Sequence, residues 1–190
     1  MTGLGHHGLS CAKSAGRNGR HMAINQLVRR ALVSAGVPSV LEPPGLVLDD
    51  GRRPDGMTQV QFHLGKAMVW DVTVVDTMCP SSIGGSVTTA GYAAAEAEKR
   101  KNRKYRELTD RFHFVPLAFE TFGPWSEEGK RLISSIGRKL TEKTGEKRSP
   151  EFLRQRISIE IQRGNALSVF STHEHSRDLG EVFYILKSKH

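Results

Sequence analysis

Residues 56–76 read GMTQVQFHLGKAMVWDVTVVD, and this stretch decides the fold. Its two halves, Gly56–His63 and Ala67–Asp76, are rich in apolar, aromatic and β-branched residues, with Gly65 between them at a turn. They read as two strands of a hairpin. The second half is nearly all apolar, the pattern of a central strand covered on both faces. Asp71 nevertheless stands in its middle. A carboxylate taken out of water must be paired, hydrogen-bonded or metal-bound, because its desolvation costs several kcal/mol.

Outward from the hairpin, the spacing predicts a helix over 18–35, with Leu27, Val28, Ala31, Leu32 and Ala35 on one face and Gly36 as its stop. A short strand is expected at Ser39–Glu42, ended by Pro43 and Pro44. After the hairpin, 77–89 read as loop, 90–110 as an Ala- and Lys-rich helix and 112–119 as a strand. Helices are expected over 126–144 and 150–171, joined by a polar linker. The order implies an α/β sandwich: a hairpin-bearing sheet flanked by helices. Residues 1–17 read as loop, 18–122 as the core, 123–172 as added helices and 173–190 as a tail.

The chain has 190 residues, with 37% hydrophobic and 25% charged. These values suit a folded domain rather than a disordered one. No apolar run reaches the roughly 18 residues of a membrane helix, and the start has no apolar signal-peptide core. Two distant cysteines, Cys11 and Cys79, exclude a disulfide framework and favour a reducing compartment. Cys79 reads as structural. Lys and Arg number 28 against 20 Asp and Glu, a net charge of +8, which favours a polyanionic partner.

Asp55, in RRPDG, precedes the first hairpin strand. Alone it reads as a turn aspartate. Beside a paired strand carrying Asp71, the two carboxylates can meet at one end of the hairpin and suit Mg²⁺. Thr73 shares the face of Asp71, and the Val72 carbonyl is a third oxygen. Asp71 has a plainer alternative, a salt bridge to an arginine. On the helix over 90–110, a step of about 100° per residue puts Ala90, Ala94, Ala97, Tyr105 and Leu108 within about 40° of Lys101. Lys101 therefore either snorkels off an Ala-rich face or points at the two acids. Lys104 lies at the edge of that stripe, while Arg100 and Arg103 face elsewhere. Two acids, a metal and a lysine make a phosphodiesterase site, and a basic surface binds the nucleic-acid backbone. Glu42 is a lesser acid candidate, Asp76 points away, and Glu120 has no support from the pattern.

RRPDG, Asp71 in VWDVTVVD after fifteen intervening residues, and KNRKY resemble the restriction-like endonuclease domain of non-LTR retrotransposons, within the PD-(D/E)-x-K superfamily. HHGLSCAKSAGRNGRH, NQLVRRALVSAGVPSVLEPPGL and FVPLAFETFGPW are similar to the C-terminal region of reverse-transcriptase-like proteins, so the resemblance spans about residues 5–170. It implies a restriction-endonuclease-like αβββαβ core with extra C-terminal helices, and metal-dependent nicking of DNA with Mg²⁺ or Mn²⁺. Asp55 and Asp71 carry over as metal ligands. Lys101 and Lys104 carry over as catalytic lysines. Arg53, Arg100, Arg103 and Tyr105 are assigned to nucleic-acid contact. Thr73 departs from the superfamily, which usually has lysine there, and fits a lysine moved to the helix. His7 and Cys11, in HGLSC, resemble half a zinc knuckle; without the upstream cysteine pair no zinc is expected. The chain is expected to be a piece of a longer element protein, acting in the nucleus on DNA, with RNA and a reverse transcriptase as further partners. The alternative function is an inactive relic that binds nucleic acid or a reverse-transcriptase partner.

Overall fold

The computed structural model describes Leu9, residues 15–48 and residues 51–171. His7 and Cys11 lie outside the described residues, as does the tail expected over 173–190. The element order is α1 (Ala15–Ser34), β1 (Ser39–Leu41), β2 (Gly56–His63), β3 (Lys66–Val75), α2 (Ile83–Ser86), α3 (Tyr92–Lys104), a 3₁₀ turn (Arg106–Leu108), β4 (His113–Glu120), α4 (Glu127–Thr144) and α5 (Ser149–Ser171). The four strands form one mixed sheet in the order β1-β2-β3-β4. β1 and β2 pair antiparallel, as do β2 and β3, whereas β3 and β4 run parallel. The chain is thus an α/β protein with a four-stranded open sheet.

The hairpin turn at Leu64–Gly65 places both residues at positive φ, 46° and 74°. That is the geometry matching the right-handed twist of the strands it joins. Side-chain alternation then sorts β3. Met68, Trp70 and Val72 enter a large core with Val115, Leu117 and Phe119 of β4, covered by Ile24, Val28 and Leu32 of α1 and by α4 and α5. Val69, Asp71, Thr73 and Val75 face the other way. There Val69 and Phe114 pack on Tyr105 and Leu108, and Val75 and Ala118 on Ala94 and Ala97 of α3. The C-terminal helices therefore share the core of the sheet through Ile133, Ile136, Ile157 and Ile161.

Two contacts fix α1 on α5. A Cβ on Gly16 would lie 2.4 Å from the Ser168 nitrogen, and one on Gly164 2.4 Å from the Arg20 Cβ. Only glycine permits so close an approach. The helix starts earlier than its hydrophobic pattern, at Ala15 rather than Asn18, and Gly16 seats it on α5. The segment 77–89 holds the short α2 where only loop is expected. Tyr105 leaves helical geometry at φ −108° and ψ 21°, so the long helix ends at Lys104 and the pattern to Leu108 continues through the 3₁₀ turn. No helix among the described residues is long and apolar enough to cross a membrane.

Candidate active site

β2 ends its pairing with β3 at Gly56 opposite Trp70. Asp55 continues it by one step. Its N–H donates to the Trp70 carbonyl (3.1 Å), its carbonyl accepts from Glu42 N–H (2.8 Å), and its Oδ2 accepts from Val72 N–H (2.6 Å). The carboxylate thus stands where the next backbone acceptor of β2 would be, alongside the β3 segment that carries Asp71. Gly56 is required here, because a Cβ would lie 2.1 Å from the Trp70 ring. The Trp70 Nε1–H in turn donates to Asn25 Oδ1 at 3.0 Å.

Asp71 is 3% exposed and faces α3. The Lys101 ammonium donates to its Oδ2, and the Tyr105 hydroxyl donates to its Oδ1 at 2.6 Å. Cation and hydroxyl together compensate the buried carboxylate, which the pattern left open between an arginine pair and a metal site. The partner is Lys101. The hydrogen bond to Asp71 and burial of the ring push the Tyr105 hydroxyl pKa far upward, burial contributing most, so it is a donor at every physiological pH.

His21, three residues before Ile24 and seven before Val28 on α1, joins the site. Its Nε2 lies 2.9 Å from Asp55 Oδ2. The hydrogen bond to Asp55 raises the imidazole pKa against the opposing effect of burial. Burial works to raise the Asp55 pKa, but the bonds from His21 and Val72 outweigh it and the carboxyl sits below its ordinary value. Sequence reasoning missed His21 in this role. Its spacing on α1 was the available signal, but nothing in one helix tells which neighbouring strand it meets.

The other candidates separate. Lys104 Nζ lies 4.7 Å over the Tyr105 ring, and burial and the Lys101 charge lower its pKa. Arg100 and Arg103 are exposed on α3. Arg53 pairs with Glu42, which lines a pocket together with His21, Asn25 and Asp55. Tyr105, assigned to nucleic-acid contact, is fully buried; its hydroxyl serves Asp71, so the ring is not a stacking surface. Glu120, 1% exposed, accepts from Ala94 N–H (3.1 Å) and Thr77 hydroxyl (3.1 Å). Asp76 is buried and accepts from Met78 N–H at 3.0 Å.

Among the described residues no three His, Cys, Asp or Glu side chains gather around one point. A divalent ion would therefore rest on two carboxylates, with the remaining oxygens supplied by backbone, water or substrate. This donor set suits Mg²⁺, which keeps several waters and takes one or two carboxylates. In the structure the Lys101 ammonium takes the position beside Asp71 Oδ2. Compared with known proteins, the chain matches no family model, and no curated protein is significantly similar to it in sequence.

Proposed function

We propose that this chain is a metal-dependent DNA endonuclease that nicks one strand, with a restriction-endonuclease-like core. The observation that carries the reading is Asp71, a carboxylate buried in the central strand and paired with Lys101 of α3, with Asp55 bonded to the next residue of that strand, Val72. The order of α1, β1–β3, α3 and β4 supports it, since it runs α-β-β-β-α-β once the short α2 is set aside. A divalent cation, Mg²⁺ or Mn²⁺, would be held by Asp55 and Asp71 and would supply polarisation of the scissile phosphate and an activated water. Lys101 carries the positive charge that balances Asp71 and stands ready for a phosphate oxygen. Tyr105 holds Asp71 in place from the opposite oxygen. His21 orients Asp55 by keeping its Oδ2 on the Val72 side. Lys104, beside Lys101, adds positive charge, and the exposed Arg100 and Arg103 meet the DNA backbone.

The test is relaxation of supercoiled plasmid in Mg²⁺ or Mn²⁺, with EDTA as control. Nicking is expected from the wild type and lost in Asp71→Asn and Lys101→Met. Nicking that persists in both variants overturns the site assignment. A second reading has its own observation: both Asp71 oxygens are already engaged by protein groups. It makes the protein an inactive relic that binds nucleic acid or a reverse transcriptase. Salt-dependent DNA binding without cleavage in any divalent metal favours it. Under the nuclease reading the chain acts on genomic DNA, in the nucleus, as part of a retrotransposon-derived protein.

A further inference from the structure

We infer that the open edge of β3, between Arg17 and Arg20 of α1 and Lys101 of α3, seats one phosphate group of a nucleic-acid strand. The inference rests on the phosphodiester chemistry proposed above and names where the strand lies. Beyond the Gly56–Trp70 pair, β2 has no residues left to cover β3 on that side except Asp55. A cleft of about 330 Å³ opens there, with Arg17, Asn18, Arg20, His21, Thr73 and Lys101 on its walls. Three of these are arginine or lysine, Lys101 being paired with Asp71, and among the described residues no carboxylate lines the cleft. Strand alternation turns the Val74 N–H to the same edge as that of Val72, adding a backbone donor.

Arg20 supplies the second, independent observation. It is 2% exposed, its Nη1 donates to Asn165 Oδ1, and its Nε has no hydrogen-bond partner. A buried guanidinium N–H left unpaired is costly. Burial and, less strongly, the like charge of Arg17 push its pKa down, while Asp76 offsets part of this. Arg20 thus brings an incompletely paired guanidinium to the cleft wall, and an anion seated in the cleft adds a favourable charge beside it. Arginine, lysine and backbone donors converging on one concavity suit a group with several acceptor oxygens, which is a phosphate. Thr73, two residues beyond Asp71 on the same face, and Lys101, the partner of Asp71, put that phosphate next to the Asp71–Lys101 pair.

The experiment measures binding of a fluorescent oligothymidylate to the full chain in EDTA, with inorganic phosphate as the second probe. Arg17→Glu, an exposed change that removes a charge-assisted bond, and Thr73→Asp, which sets a carboxylate against the phosphate, are each expected to weaken oligonucleotide binding about tenfold. Thr73→Ser and the distant Arg154→Glu are expected to bind within about twofold of wild type. Binding by Arg17→Glu and Thr73→Asp no weaker than by Arg154→Glu overturns the inference. Inorganic phosphate binding as tightly as the oligonucleotide makes the site one for the free ion and overturns its assignment to a strand. The plasmid assay separates the two readings. Oligonucleotide binding that depends on Arg17 and Thr73 without nicking sinks the nuclease and keeps the phosphate seat. Nicking unaffected by either substitution does the reverse.

Discussion

The Lys101 and Asp71 side chains are 21% and 5% exposed, so their pairing is largely shielded from solvent. Removing the lysine alone leaves a buried carboxylate with only the Tyr105 hydroxyl. Lys101→Met is therefore expected to destabilise the protein by about 3–5 kcal/mol, and Lys101→Met with Asp71→Asn by less, because the second change removes the stranded charge. Urea unfolding of the two variants checks this. Thr73 offers a complementary test, since it lines the same cleft as Lys101. In the Lys101→Met background, Thr73→Lys is expected to return an ammonium to the acids and recover part of the nicking activity; no recovery would mean that the direction of approach from α3 matters. His113 gives a pH signature. Burial, with the charges of His63 and Lys66, holds its pKa below 6.5. The unfolded chain then binds a proton that the folded one does not, so stability falls as pH drops through about 6.5 toward the folded value. His113→Phe is expected to flatten the urea-midpoint profile over that window.

At the scale of elements, α3 is the part that delivers Lys101, and Glu120 holds its start. The helix begins at Gly91 in left-handed geometry with no side-chain cap. Glu120, at the end of β4, takes the Ala94 N–H instead. Glu120→Ala is expected to cost about 1–3 kcal/mol by leaving that buried donor unsatisfied, and to speed hydrogen exchange in the first turn of α3 before the rest of the helix. The residue types of 56–76 were enough to fix β2 and β3 to within a residue, because apolar and β-branched runs and the turn glycine agree there. The stripe of α3 likewise put Lys101 on the correct face. Tyr105 broke the reading of that helix: its hydroxyl is drawn to Asp71, a tertiary contact that period alone does not encode. Glu120 and His21 were illegible for a related reason. Each acts across a join between elements far apart in sequence, on Ala94 and Asp55 respectively.

For the whole molecule, the contact of α1 with α5 sets how the cleft is walled. Gly164 lets the Arg20 stem pass, and Gly16 lets α1 meet Ser168. Gly164→Val is expected to push α1 outward, costing about 1–3 kcal/mol by overpacking and loosening the His21–Asp55 contact. A lowered melting temperature together with weakened oligonucleotide binding checks it. Gly19, beside neither neighbour, has open space at its Cβ, and Gly19→Ala is the control expected to be tolerated.

The same seating bears on how the protein is made. Chains grow from the N-terminus at about 5–20 residues per second, so α1 leaves the ribosome first, while the partner that holds it, α5, leaves after every strand. The sheet and the Asp71–Lys101 pair have all their residues before Gly164 emerges, but the Arg17–Arg20 wall does not have its seat. The residues of the acids and of Lys101 are thus made before Gly164, and the Arg17–Arg20 wall is the part of the cleft whose support is made last.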